Sequence, residues 1–249
     1  MTDIAQLKPK LKQLKLSGAV DTLDLRLMEA EQNELSYSEL LMMIVNDELD
    51  LRSNRRLKML LAKAHLESDK TLENFDFSFN HSINAAQIRE LALCKFIGKG
   101  ENIFFIGPTG TGKTHLSKAL GHMACRRSMT VEFYIFRKFF DHLKKADMTG
   151  KLDNVLRTVS RADLLIFDEF AFKPIDQRSA ELFYAVIDAR YGLRSTILTS
   201  NRSMNDWAGF FPDPIMANAI MDRLCHNTHQ IVIKGESYRR KNRPQKVTP

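Results

Sequence analysis

Gly107-Pro108-Thr109-Gly110-Thr111-Gly112-Lys113-Thr114 is the stretch that decides the fold. It fits G-x-x-x-x-G-K-[ST] at every fixed position, follows the apolar run Ile103-Phe104-Phe105-Ile106 and opens a helical stretch, His115–Arg126. Strand, glycine-rich turn and helix in that order make a P-loop. Glycine tolerates positive φ, so the backbone can turn its N–H groups inward around phosphate oxygens. The helix N-terminus adds a positive dipole end. By position, Lys113 would neutralise the β and γ phosphates and Thr114 would hold Mg²⁺. Gly107, Pro108, Thr109, Gly110, Thr111, Gly112 and His115 complete the expected cradle, and ATP and Mg²⁺ are the expected ligands.

Outward from this turn, short β-rich runs alternate with helical stretches. The runs are Asn102–Ile106, Val131–Phe136, Leu164–Asp168, Thr196–Thr199 and Gln230–Ile233, and a helix near Ala85–Phe96 precedes them. Strands alternating with helices predict an α/β fold whose five-stranded parallel sheet is covered on both faces. Leu164-Leu165-Ile166-Phe167-Asp168-Glu169 reads as a buried strand whose acidic end emerges at the ligand edge. There Asp168 would serve Mg²⁺ and Glu169 would polarise the attacking water; the alternative is an acidic pair that merely caps a strand. Asn201, after Thr199-Ser200, is placed to orient water beside the γ-phosphate, or is an ordinary turn asparagine. The double acid favours an ATP hydrolase over a small GTPase, and no Asn-Lys-x-Asp guanine-reading motif occurs.

The first 68 residues read as a small all-helical domain. Leu7, Leu11 and Leu14 recur at helical spacing. Ser36-Tyr37-Ser38-Glu39 is a capping box that opens a long helix through about His65. Leu40, Ile44, Val45, Leu49, Leu57, Leu60 and Leu61 are the candidates for its buried stripe, and Met42 and Met43 are expected as core filler. Residues 69–84 form a polar linker whose Phe75, Phe77 and Phe79 pin it to the next domain; 85–236 is the α/β core and 237–249 a basic tail.

Composition narrows the class. A chain of 249 residues holds one large domain or a medium one plus a small one. With 44% hydrophobic and 27% charged residues it is neither disordered nor collagen-like. Cys94, Cys125 and Cys225 are odd in number and far apart, which excludes a disulfide framework and fits a reducing cytosol. His226 and His229 near Cys225 lack a fourth ligand for zinc. No apolar run is long enough to span a bilayer.

The net charge of +7 is unevenly spread. Between Arg89 and Arg157 thirteen lysines and arginines face six acids, and from Arg223 onward seven face one. Two basic blocks make nucleic acid a candidate partner. Arg137–Lys145 reads as an amphipathic helix, with Phe140, Leu143 and Phe136 as candidates for its inward face. Lys138, Lys144 and Lys145, with Arg126 and Arg127 or the tail, are candidate phosphate contacts; the alternative is a solvated helix face. Arg223, on a helix from Asp213 to about Cys225, is either a salt-bridged helix residue or an arginine finger for a neighbour's ATP. Arg239, after the last strand, could reach the γ-phosphate in cis or start the basic tail.

GPTGTGKTHL, LLIFDEF, ILTSN with Trp207 downstream, AIMDRL and GESYR, in this order and spacing, resemble the IstB-like ATP-binding proteins. These are transposition helper ATPases of insertion sequences, in the AAA+ branch that also holds the DnaC-type helicase loaders. The likeness covers about Thr71 to Arg240. It implies an AAA+ core behind a helical N-terminal domain, ATP and Mg²⁺ binding, homo-oligomerisation through the ATP site, DNA binding and a partner transposase, in the bacterial cytosol. It matches Arg223 to the arginine finger, Asn201 to sensor one and Arg239 to a candidate sensor two. Little room remains after Asn201 for the helical lid that carries sensor two in many relatives. Phe170-Ala171-Phe172 stand where the family often has a glycine, so a slightly altered loop is expected there with its chemistry kept. Target-DNA selection with transposase recruitment is the leading function. The alternative, a helicase loader gripping single-stranded DNA, shares the GESYR and DRL motifs, whereas EFYIF, KPID and AVIDARYGLRSTILTSN lean to IstB.

Overall fold

The computed structural model describes residues 4–241. The basic segment after Lys241 lies outside the described residues. The chain divides into two compact units between Met59 and Leu60.

The first unit carries α1 (Ile4–Gln13), α2 (Ser17–Gln32) and most of α3 (Tyr37–Lys63). The capping box forms: Ser36 N–H donates to Glu39 Oε2 at 2.8 Å and Glu39 N–H donates to Ser36 Oγ at 3.3 Å, a cap that contributes about 1 kcal/mol. The start of α2 has no side-chain cap of its own. Glu48 of α3 supplies one, accepting from Gly18 N–H at 2.6 Å and Ala19 N–H at 3.3 Å. A carboxylate there also meets the positive end of the helix dipole. Gly18 permits the approach, since a Cβ would stand 2.7 Å from Asp47 O. Arg26 grips Asp47 with two parallel bonds of 2.7 Å, which hold the Asp47 carboxyl down to about 2. Polar anchoring thus replaces part of the expected apolar stripe. Leu40, Ile44 and Leu57 are half-buried, but Val45, Leu49 and Met42 are exposed.

The second unit is the α/β core. After α4 (Ala85–Leu91) and α5 (Lys95–Gly98) come β1 (Asn102–Ile106), α6 (Lys113–Arg126), β2 (Val131–Ile135), α7 (Phe136–Met148), α8 (Leu152–Arg161), β3 (Leu164–Asp168) and α9 (Gln177–Arg190). Then follow β4 (Ser195–Ser200), α10 (Met204–Trp207), α11 (Pro214–Cys225), β5 (Thr228–Val232) and α12 (Tyr238–Lys241). The five strands form one sheet in the order β2-β3-β4-β1-β5, all neighbours parallel. β3 and β4 are buried along their whole length, as apolar strands covered on both faces must be. Phe136, Phe139, Phe140, Phe167, Phe170 and Phe183 pack edge to face beside Trp207, a geometry that aromatic quadrupoles favour.

Several element boundaries differ from the sequence expectation, and two of the differences have a clear physical reason. The helix near Ala85–Phe96 is two helices, because Cys94 takes left-handed backbone (φ 59°) and turns Phe96 and Ile97 back into the core. β5 begins two residues early: Thr228, His229 and Gln230 are polar, yet they pair with Asn102, Ile103 and Phe104 through the backbone ladder. An edge strand does not need apolar side chains to extend. Among the described residues no helix is long and apolar enough to cross a membrane.

Arg190 is the largest polar investment in the core, at 1% exposure. Its guanidinium donates to Val159 O and Ala162 O at 2.8 Å each and to Ser195 O at 2.5 Å, tying the end of α8 to β4. Burial pushes its pKa down to about 9. Arg190→Met leaves those carbonyls unpaired in the interior. The expected result is a loss of about 3–5 kcal/mol of unfolding free energy, read from the denaturant midpoint of the core; a loss below about 1 kcal/mol would refute this assignment.

Candidate nucleotide site

The turn between β1 and α6 is hemmed in on three sides. Gly107, Gly110 and Gly112 have φ of 154°, 83° and 96°. A Cβ on Gly107 would lie 2.0 Å from Ile233 O, one on Gly110 2.1 Å from Ser237 Oγ and one on Gly112 2.8 Å from the Phe75 ring. The glycines are therefore required by space as well as by conformation. Lys113, 6% exposed, folds back to donate to Gly107 O at 2.6 Å and Pro108 O at 2.7 Å. Burial pushes its ammonium down to about 8, against the pull of Asp168 and with Arg239 adding to the push. Thr114 Oγ1 donates to Asp168 Oδ1 at 2.8 Å and lies 3.1 Å from Oδ2.

The turn opens onto a cavity of about 330 Å³. Thr109 to His115, Asp168, Glu169, Asn201 and Arg239 all line it, so residues read from distant motifs come together here. Gly107 and Pro108 reach the site through the carbonyls that hold Lys113. His115 donates from Nε2 to Thr71 O at 2.7 Å and packs against Phe75. Asp168 is buried; Glu169 and Asn201 are exposed at the mouth.

Sequence reasoning missed one wall. Lys70, Asn74, Phe75, Asp76, Phe79 and Asn80 of the linker line the cavity with Tyr238. Asn80 Nδ2 donates to Lys234 O at 2.7 Å and Phe79 stands edge-on to Tyr238 at 4.8 Å. Tyr238 N–H in turn donates to Gly110 O at 3.0 Å. Linker and C-terminal segment thus close on the same turn. The signal was present in phenylalanines at alternate positions of a polar stretch, which pin the linker and also shape the cavity.

After the acidic pair the backbone is unusual. Glu169 and Ala171 both have positive φ, 60° and 57°. Ala171 lies within the Phe170-Ala171-Phe172 stretch where the family often has a glycine, and it adopts the left-handed conformation that glycine favours.

Other candidates lie elsewhere. Arg223 does not line this cavity. Its Nε donates to Asp188 Oδ1 at 2.8 Å, its NH1 to Ala219 O at 3.0 Å, and it stacks over Tyr184 at 5.0 Å. Phe139 and Ala146 join Phe136, Phe140 and Leu143 on the buried face of α7, while Lys138, Lys144 and Lys145 are exposed. Lys144 pairs with Asp176 at 3.2 Å. Arg126 pairs with Glu73 at 2.5 Å, and Arg127 NH1 donates to Met123 O at 3.3 Å.

The family of IstB-like ATP binding proteins matches residues 9–246. The chain belongs to that family. An IS21 protein of Pseudomonas aeruginosa, named for ATP binding, is 39% identical over 98% of this chain and 91% of its own. An IS232 protein of Bacillus thuringiensis subsp. berliner, likewise named, is 37% identical over 95% of each. In fold, the core is similar to the DnaC helicase loader (TM-score 0.59, 24% identity, 67% of this chain and 98% of that one). It is also similar to the replication initiator DnaA bound to AMPPCP and single-stranded DNA (TM-score 0.58, 25% identity, 69% of this chain and 51% of that one). This IstB-family chain is therefore an insertion-sequence-type ATP-binding protein with an AAA+ core.

The cavity fits a nucleoside triphosphate with a divalent cation. A glycine cradle excludes side chains where phosphate oxygens would lie, and an ammonium stands behind it. A hydroxyl and a carboxylate, hard oxygen donors of the kind Mg²⁺ takes, already meet at Thr114 and Asp168. Gly107→Ala must displace the Ile233 carbonyl. It is expected to lower unfolding free energy by about 2 kcal/mol or more and to abolish ATP binding measured by calorimetry. Gly209→Ala, with nothing within 4 Å of the new Cβ, is the control and should change both by little.

Proposed function

We propose that the protein is a Mg²⁺-dependent ATPase that assembles on duplex DNA through its ATP site and acts in transposition, marking target DNA and recruiting or stimulating a transposase. One observation carries the catalytic part: Lys113, Thr114, Asp168, Glu169, Asn201 and Arg239, drawn from four separate stretches, line a single cavity. In this reading Lys113 and the P-loop N–H groups hold the β and γ phosphates, and Thr114 and Asp168 hold Mg²⁺. Bound Mg²⁺ supplies charge neutralisation between those phosphates. Glu169, exposed at the mouth, takes the proton of the attacking water. Asn201 orients that water, and Arg239 contacts the γ-phosphate in cis. Arg223 lies outside its own cavity, which supports its use as a finger on a neighbour's ATP.

The DNA part draws on the exposed lysines of α7 and on the family's link with insertion sequences. Lys138 and Lys145 have no ion-pair partner among the described residues, whereas Lys144 and Arg126 are held by exposed pairs that exchange easily for phosphate. Such contacts are sequence-independent and salt-sensitive.

Lys113→Ala should abolish ATP binding and ATP-dependent assembly. Glu169→Gln should retain ATP, trap the assembled form and lower kcat by about a hundredfold or more; normal turnover would remove Glu169 from the base role. Arg223→Ala should bind ATP yet hydrolyse poorly, and mixing it with Glu169→Gln should restore part of the turnover. For the DNA reading, the ATPase rate is compared with no DNA, duplex and single strands at two salt concentrations. Stimulation mainly by duplex is expected; stimulation mainly by single strands would favour a helicase loader. Charge reversal at Lys138 and Lys145 should weaken duplex binding about tenfold or more and flatten its salt slope by about two.

A further inference from the structure

Thr199, at the end of β4, is 2% exposed and joins both acids of the site. Its Oγ1 donates to Asp168 Oδ1 at 2.5 Å and accepts from Glu169 N–H at 3.2 Å. Its carbonyl accepts from Phe170 N–H at 2.8 Å. Ser200 grips the next peptide, its Oγ donating to Phe170 O at 2.9 Å while accepting from Trp207 Nε1–H at 3.1 Å and Arg202 N–H at 3.1 Å. The gripped segment is the one with positive φ at Glu169 and Ala171. Non-glycine residues in that region cost about 1–3 kcal/mol each and persist only where the surroundings impose them. Here β4 and Trp207 impose them.

Asp168 also accepts from Thr114. Two hydroxyls, one from α6 and one from β4, therefore fix the carboxylate from two directions. Thr114 must turn a lone pair toward a metal when it ligates one. The Thr199 hydroxyl faces no such demand, because its proton is committed to Asp168 and its lone pair to Glu169 N–H.

We propose that Thr199 is a positioning residue. Its hydroxyl sets the Asp168 carboxylate for the divalent cation and, through the Glu169 amide, aims the Glu169 side chain at the attacking water. This rests on the ATPase reading above and assigns work to a residue other than Asn201. The hydroxyl alone carries the role, since valine has the same shape and β-strand preference but neither donates nor accepts.

The test compares wild type with Thr199→Val, Thr199→Ser and Thr199→Cys in the full-length protein. Mg²⁺ is titrated against binding of a fluorescent non-hydrolysable ATP analogue, with kcat and KM for ATP measured at saturating Mg²⁺. Thr199→Val is expected to raise the half-saturating Mg²⁺ concentration about fivefold or more. It should lower kcat about tenfold or more while KM moves less than about threefold. Thr199→Ser should return both within about threefold of wild type, and Thr199→Cys, a weaker donor, should fall between. Melting curves of all four accompany the titration. A hydroxyl that merely satisfies the core would lower the melting temperature and leave the Mg²⁺ dependence in place, which overturns the proposal. Thr199→Ser as impaired as Thr199→Val overturns it too, because the methyl group would then be what matters. Should Thr199→Val not fold, Thr199→Cys decides: Mg²⁺ dependence equal to wild type refutes the role. Wild-type protein that binds ATP without turning it over would defeat the ATPase reading, and the Mg²⁺ titration would still decide the part of Thr199 at Asp168.

Discussion

Everything at the site depends on a backbone turn with no room beside it. Two segments far apart in sequence press on its glycines: the stretch after β5, through the carbonyl of Ile233 and the side chain of Ser237, and the linker, through Phe75. Each contact constrains the other partner as much as the turn. The linker must approach the turn closely to bring Phe75 there, and the chain after β5 must turn back to bring Tyr238 N–H to Gly110 O. The cavity walls are consequences of packing around the P-loop. Linker and C-terminal segment together wall the cavity beside the P-loop.

The parallel sheet makes the second contribution. Every strand delivers its C-terminal end to the same edge, so Ile106, Asp168 and Ser200 arrive side by side in register, Ile106 opposite Ser200 and Asp168 one residue past the Phe167–Leu198 pair. Hydroxyls at the end of β4 then reach the acids at the end of β3 without any loop having to carry them. A site on strand ends is held by the stiffest part of the molecule, and the left-handed residues beyond it are tolerable because that framework does not yield.

Where a pattern is written in local sequence, reading along the chain picks out residues that the fold brings to one cavity. The octet from Gly107 to Thr114 and the apolar run into Asp168-Glu169 need only their own residues to be recognised, and the order of strands and helices predicted the sheet. Contacts between segments were not legible. Nothing local says that Phe79 meets Tyr238, that Glu48 caps another helix, or that Thr199 touches Asp168. The apolar stripe of α3 failed at Val45 and Leu49 for the same reason: helical spacing gives the faces of a helix, and here ion pairs at Asp47 and Glu48 helped to choose which face is covered. Arg223 was legible as a residue of interest, but its partner Asp188 was not.

The placement of positive charge fits the proposed sharing of the site between neighbours. Burial pushes the Lys113 ammonium down to about 8, with Arg239 adding to the push. A third cation from the same chain would add to a repulsion that Asp168 opposes. Held instead on α11 against Asp188 and Tyr184, the Arg223 guanidinium is stabilised away from that cavity. Supplied by a neighbour, it would meet the nucleotide only after phosphate charge is present to receive it. In the proposed assembly, contact between neighbours and nucleotide binding would be coupled through these same charges.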